Sequence, residues 1–179
     1  MESRENNKPE VNRDAQRRPS IRKYGIMKTI EGNLITLAQA GEFDVIVHGC
    51  NCYCTMGAGI AKSIKAAFPA AYWADQNTEK GSRDKMGTYS SAEVLISENA
   101  TLTVVNAYTQ YGYRRKSTPN VDYDAIRAVF RRIKTDFTGQ RIGYPAIGAG
   151  LAGGDWAVIS EIIAEELVGE THTFVRYLP

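Results

Sequence analysis

Apolar residues recur along this chain in two rhythms. Val45, Ile46 and Val47 run without polar alternation, as in a strand covered on both faces. Residues 141–147 read the same way, and residues 27–31 and 171–177 give shorter strands near the two ends. Residues 89–96 and 101–108 form a strand pair across Ser97-Glu98-Asn99-Ala100, the pattern of an antiparallel hairpin. The second rhythm is helical. Ile60, Ile64 and Phe68 fall four apart. Tyr123, Ile126, Val129, Phe130, Ile133 and Phe137 repeat behind Asp122, and Trp156, Ile159, Ile162, Ile163 and Leu167 repeat behind Asp155. Brief helices are also expected over 34–40 and, after Pro69, over 70–79, with a loop over 109–120. Strands and helices alternate except at the hairpin, which predicts a mixed sheet between two helical layers.

The first 26 residues break both rhythms. They are polar, contain Pro9 and Pro19, and read as an extension to a body spanning 27–179. At 179 residues the chain fits one domain. Seven basic against four acidic residues in the extension leave the body at −1 of the overall +2, so the body carries no nucleic-acid footprint. No run approaches the roughly 20 apolar residues of a membrane helix, and the N-terminus lacks a signal-peptide core. A cytoplasmic monomer is the expectation. Cys50, Cys52 and Cys54 lie too close together for a disulfide framework and are expected as reduced core residues, with no metal site and no cofactor.

Two glycine-containing turns carry the candidate chemistry. Gly57-Ala58-Gly59-Ile60 follows the first buried strand and opens a helix. Gly148-Ala149-Gly150-Leu151-Ala152-Gly153-Gly154 follows the strand at 141–147 and leads to another. The first N–H groups of a helix lack internal partners and favour an anion, while small residues admit it to the backbone. One such turn serves a tight connection equally well. Two that leave parallel strands emerge at the same carboxyl edge, where they suit a diphosphate.

The order GNLITL, VIVHGCN with MGAGIA, and YPAIGAGLAGGDW resembles the macro domain, the ADP-ribose-binding family, from about Met27 to Leu178. The variants look most like the branch of yeast-type ADP-ribose 1''-phosphate phosphatases. The resemblance implies a three-layer α/β/α macro-domain fold with a mixed, mostly parallel central sheet. It implies that Asn33, replacing an Asp, meets adenine, that Leu34 beside it belongs to the ligand-binding residues, and that Asn51 meets the distal ribose. Gly57, Ala58, Gly59 and Ile60 would form the first phosphate loop, and Gly148, Ala149, Gly150, Leu151, Ala152 and Gly153 the second. Ala152 stands where many relatives carry an aromatic ring, so that contact is either missing or supplied by another ring such as Tyr72, Tyr111 or Trp156. The lysine of the ADP-ribosyl-glutamate hydrolases is missing near Thr109 and Gln110.

Hydrolysis at C1'' needs an oriented water and a proton carrier. Asn51, Asp155 and His48 are the catalytic candidates, although Asp155 serves equally as a helix cap and His48 as a buried structural group. The expected function is an ADP-ribose-binding hydrolase that removes phosphate from ADP-ribose 1''-phosphate or cleaves related C1''-linked derivatives. The alternatives are a non-catalytic ADP-ribose reader and, more remotely, an adaptor acting through the basic extension. Arg114, Arg115 and Lys116 are expected as a solvated cluster, with attraction of an anionic ligand toward the cleft as the alternative, and ADP-ribose or a derivative is the expected partner.

Overall fold

Hydrophobic residues on both sides of one short strand organise the molecule. The computed structural model describes residues 27–113 and 118–178, so the expectations for the extension and for Arg114 to Lys116 lie outside the described residues. Its elements are β1 (Lys28–Glu31), α1 (Leu34–Gln39), β2 (Val45–Asn51), α2 (Gly59–Ala67), α3 (Pro69–Gln76), a 3-10 turn at Arg83–Lys85, β3 (Tyr89–Ser97), β4 (Ala100–Gln110), α4 (Tyr123–Asp136), β5 (Ile142–Tyr144), α5 (Trp156–Glu166) and β6 (His172–Arg176). They form one six-stranded sheet of order β1-β6-β5-β2-β4-β3. All neighbours are parallel except the β3–β4 hairpin. The expected mixed, mostly parallel three-layer α/β/α arrangement is what the chain adopts.

The side-chain period of two divides β2 between the layers. Val45 and Val47 face a core built from α4 and α5, including Ile126, Phe130, Ile159 and Ile163. Ile46 faces the other core with Leu34, Ile64, Phe68 and Ala71 from α1, α2 and α3. The helices start where the sequence expects them. Asp122 accepts from Ala125 N at 2.9 Å and Asp155 from Ala157 N at 2.8 Å, while Pro69 occupies the first turn of α3, where its missing N–H costs nothing. Among the described residues, no helix is long and apolar enough to cross a membrane.

Three boundaries differ from the sequence reading. β2 continues through His48, Gly49 and Cys50 to Asn51, because β4 pairs with it that far, across a register shift between Cys50 and Asn51. β4 correspondingly takes in Thr109 and Gln110, which pattern alone assigns to a loop. β5 is only three residues long, and Pro145 follows it at once. Proline cannot donate to the ladder, which accounts for the early stop.

β5 also contains a close approach. Phe43 lies flat on Gly143, and a Cβ there would meet its ring carbons at 2.7–2.8 Å. Gly143→Ala is therefore expected to destabilise the fold by about 1–3 kcal/mol through overpacking, read as a lower urea midpoint with an unchanged denaturant slope.

Candidate ligand-binding cleft

Because β5, β2 and β4 are parallel neighbours, the segments leaving them meet at one edge of the sheet. There they enclose a cleft of about 420 Å³. Its floor is the end of β2 and β4, at Gly49, Cys50, Asn51 and Gln110; its walls are the two glycine turns. On one wall α2 begins without a side-chain cap, since Ala58 stands at the N-cap position. The first helical bond recorded there is the long Lys62 N–H to Ala58 carbonyl contact at 3.4 Å. Gly59, Ile60 and Ala61 line the cleft, so the uncapped first turn opens toward it.

The opposite wall is a folded crest. Ala149, Gly153 and Gly154 donate to the carbonyls of Ala146, Gly150 and Gly148, whereas Gly150, Leu151 and Ala152 take no part as donors in these bonds. Gly148 has a φ of +72°, and a Cβ on it would meet Val121 at 2.6 Å, so this corner needs glycine on both counts. Leu151 is 61% exposed. Its Cδ1 lies 3.3 Å from where a Cβ on Gly59 would stand, which brings the two walls into contact over the cleft.

The cleft gathers Asn51, Gly57, Ala58, Gly59, Ile60, Gly148, Gly150, Leu151 and Ala152 from the residues singled out in the sequence. Asn51 ties its own loop together. Its Nδ2 donates to Thr55 Oγ1 at 2.7 Å and to the Thr55 carbonyl at 3.1 Å, and its Oδ1 accepts from Tyr53 N at 2.9 Å. Ala149 and Gly153 belong to the crest but do not line the cleft. Asn33 is exposed and spends Oδ1 on the α1 cap, accepting from Ile35 N at 2.9 Å and Thr36 N at 3.2 Å; Leu34 is buried in the core beside it.

The other two catalytic candidates lie away from the cleft lining. Asp155 caps α5, and its own backbone N–H donates to the Tyr123 hydroxyl. His48 is fully buried, because its side chain points from β2 into the layer opposite Val47. Asn106 spends Nδ2 on the Ala71 carbonyl and Ser90 Oγ, so its Oδ1 accepts from His48 Nε2 at 2.7 Å. Burial pushes the His48 pKa down to about 4, against the partial opposition of that bond.

Sequence reasoning missed several parts of the cleft. Tyr113 is its aromatic residue, 51% exposed, with its ring edge-on to Tyr53 at 5.9 Å. None of the three rings proposed for the distal side lines the cleft. Tyr111 packs on Tyr53, Tyr72 on Trp73, and Trp156 on Phe174. Cys50, Thr55 and Gln110 also contribute, and their only advance signal is position, just beyond a buried parallel strand. Burial pushes the Cys50 thiol well up, which leaves it a weak nucleophile. Among the described residues no three His, Cys, Asp or Glu side chains converge as a metal site.

Comparisons with known proteins agree with this geometry. The Macro domain family profile matches residues 47–163. The chain is similar to an uncharacterised 17.5 kDa protein of Enterobacteria phage T4, 34% identical over 143 residues, covering 77% of this chain and 88% of the relative. A 48-residue stretch is 42% identical to an ADP-ribose 1''-phosphate phosphatase of Aspergillus oryzae, covering 27% of this chain and 22% of that one. In fold the chain is similar to Thermosipho africanus DarTG in complex with ADP-ribose, with a TM-score of 0.66 at 16% identity, covering 84% of this chain and 42% of that one.

His48 makes the fold acid-sensitive. Its pKa falls from an ordinary 6.5 to about 4 on folding, so between those values the unfolded chain binds the extra proton. The associated stability is whole above pH 6.5 and is lost as pH falls toward 4, by about 3 kcal/mol. Burial also lowers the pKa of His172 and raises that of the Asp75 carboxyl, so these groups work in the same and the opposite sense respectively. Comparison with His48→Gln isolates the His48 part. Urea unfolding at pH 7 and pH 4.5 is expected to show a smaller loss in the variant.

Proposed function

The chain belongs to the macro domain family, and from that premise we propose that its cleft binds ADP-ribose or an ADP-ribose derivative. We propose further that it removes phosphate from ADP-ribose 1''-phosphate or cleaves a related C1''-linked derivative. One observation carries the reading. The uncapped start of α2 and the Gly148–Gly153 crest border the same cleft, an arrangement that suits a diphosphate held by backbone N–H groups. The similarity of one stretch to an ADP-ribose 1''-phosphate phosphatase supports the choice of the phosphate ester.

Asn51 is the catalytic candidate that the cleft supports, because it stands on the floor; its Nδ2 hydrogens go to Thr55, so Oδ1, which accepts from Tyr53 N at 2.9 Å, is the atom with acceptor capacity left for a ligand. Its amide orients the distal ribose or the attacking water. Among the described residues the cleft lining holds no carboxylate or imidazole, so the proton of that water passes to an oxygen of the substrate's own phosphate. The same absence favours a second reading, an ADP-ribose reader that holds its ligand without cutting it.

Two measurements separate these readings. Calorimetric titration with ADP-ribose is expected to show one site, and incubation with ADP-ribose 1''-phosphate to release inorganic phosphate. Binding without release leaves the reader; no binding rejects both.

Ala58→Asp tests the diphosphate position itself. An Asp at this N-cap is expected to stabilise α2 by about 1 kcal/mol. The same carboxylate stands where the diphosphate would bind, so affinity for ADP-ribose is expected to fall at least about tenfold. A variant with a raised melting temperature and unchanged affinity would remove the diphosphate from this wall.

A further inference from the structure

Behind the cleft floor, Cys54 and Lys85 meet in a nearly closed space, each only 7% exposed. Lys85 Nζ donates to Thr78 Oγ1 at 2.6 Å and to the Cys52 carbonyl at 3.3 Å, and stands 3.1 Å from Cys54 Sγ. The Asp75 carboxylate, the obvious partner for a buried ammonium, is farther away, with Oδ1 at 3.8 Å. That oxygen is taken by the Tyr108 hydroxyl, and Oδ2 finds no hydrogen-bond partner among the described residues. The Cys54 thiol donates to the Asp75 carbonyl at 3.2 Å. Amine, sulfur and an uncommitted carboxylate oxygen are thus held together in a site that the proposed activity does not use.

The backbone marks the same place. Cys54 has a φ of +57°, a conformation that no other non-glycine residue among those described adopts. Side chains in that region are strained and persist only where their surroundings hold them. Here the contacts to Asp75 and Lys85 do so. No hydrogen bond joins an amine to Sγ of Cys50 or Cys52 among the described residues, so the geometry singles out one cysteine of the three.

We infer that Cys54 and Lys85 form an oxidant-dependent covalent N–O–S bridge, with a peroxide as co-reactant. The first peroxide oxidises the thiol to a sulfenic acid; an S–O bond forms and one water leaves. The Lys85 nitrogen then bonds to the sulfenic oxygen while a second peroxide accepts two electrons. The ammonium and the hydroxyl together lose three protons. Two leave with the reduced peroxide as two waters and the third is released, with Asp75 Oδ2 as the near acceptor. The product gains one oxygen and loses two hydrogens relative to the reduced side chains. It ties the Asn51–Thr55 loop, just ahead of the first glycine turn, to the 3-10 turn at Arg83–Lys85. This inference does not depend on the ligand assigned to the cleft.

The test is intact mass spectrometry of the full chain after treatment with hydrogen peroxide, followed by digestion. The expected result is a gain of about 14 Da, a peptide in which Cys54 and Lys85 are joined, and reversal by dithiothreitol. Cys54→Ser and Lys85→Arg are each expected to abolish the joined peptide, while Cys50→Ala keeps it. Oxidation appearing only as whole added oxygens on cysteine, or no mass change, would overturn the inference. So would a 14 Da gain that persists in Cys54→Ser. Because the joined peptide is sought in the unaltered chain, a variant that fails to fold does not weaken the test.

Discussion

Burial of β2 on both faces is the constraint from which the rest of the molecule follows. A strand covered by helices on either side must have neighbours that cross over and return parallel, and parallel neighbours deliver their outgoing loops to one edge. Val45, Ile46 and Val47 impose this arrangement through the two cores they join. The cleft is thus a topological product before it is a chemical one. The glycine turns meet because β2 and β5 are adjacent and point the same way.

The elements with strong periodicity were legible from sequence alone. The 3.6 rhythm of Ile126, Val129, Phe130 and Ile133 and the caps at Asp122 and Asp155 correspond to α4 and α5 as they fold. The continuation of β2 was not legible, because His48, Gly49, Cys50 and Asn51 have no apolar rhythm. They are strand residues because β4 pairs with them and because a polar chain satisfies His48 through Asn106, Ser90 and Tyr108. Long-range pairing decided those positions, and no local propensity announces it. Lys85 was invisible for the same reason. Within a polar stretch nothing distinguishes it from its exposed neighbours, yet it is the one that reaches Thr78 and Cys54.

Of the candidate site, the backbone part was readable and the side-chain part was not. A wall made of N–H groups needs only small residues in the right order, and that order is written in the glycine turns. A catalytic side chain needs a direction, which depends on strand parity. His48 lies on β2, but on the strand face that turns into the core. Asn51, three residues on and past the bulge between Cys50 and Asn51, reaches the cleft. A shift of one position in that register would exchange their surroundings.

Asn51 is also less free than a ligand-binding role alone would suggest. Its Nδ2 bonds to Thr55 and the bond its Oδ1 accepts from Tyr53 shape the loop that ends in the first glycine turn. A ligand at the floor therefore meets an amide already held in one orientation, which is the condition for positioning without further ordering cost. The same bonds bracket Cys54, whose own contacts to Asp75 and Lys85 hold its strained conformation. The loop that presents the cleft's polar floor on one side presents the buried cysteine on the other, with Asn51 bonded to the residues on either side of it.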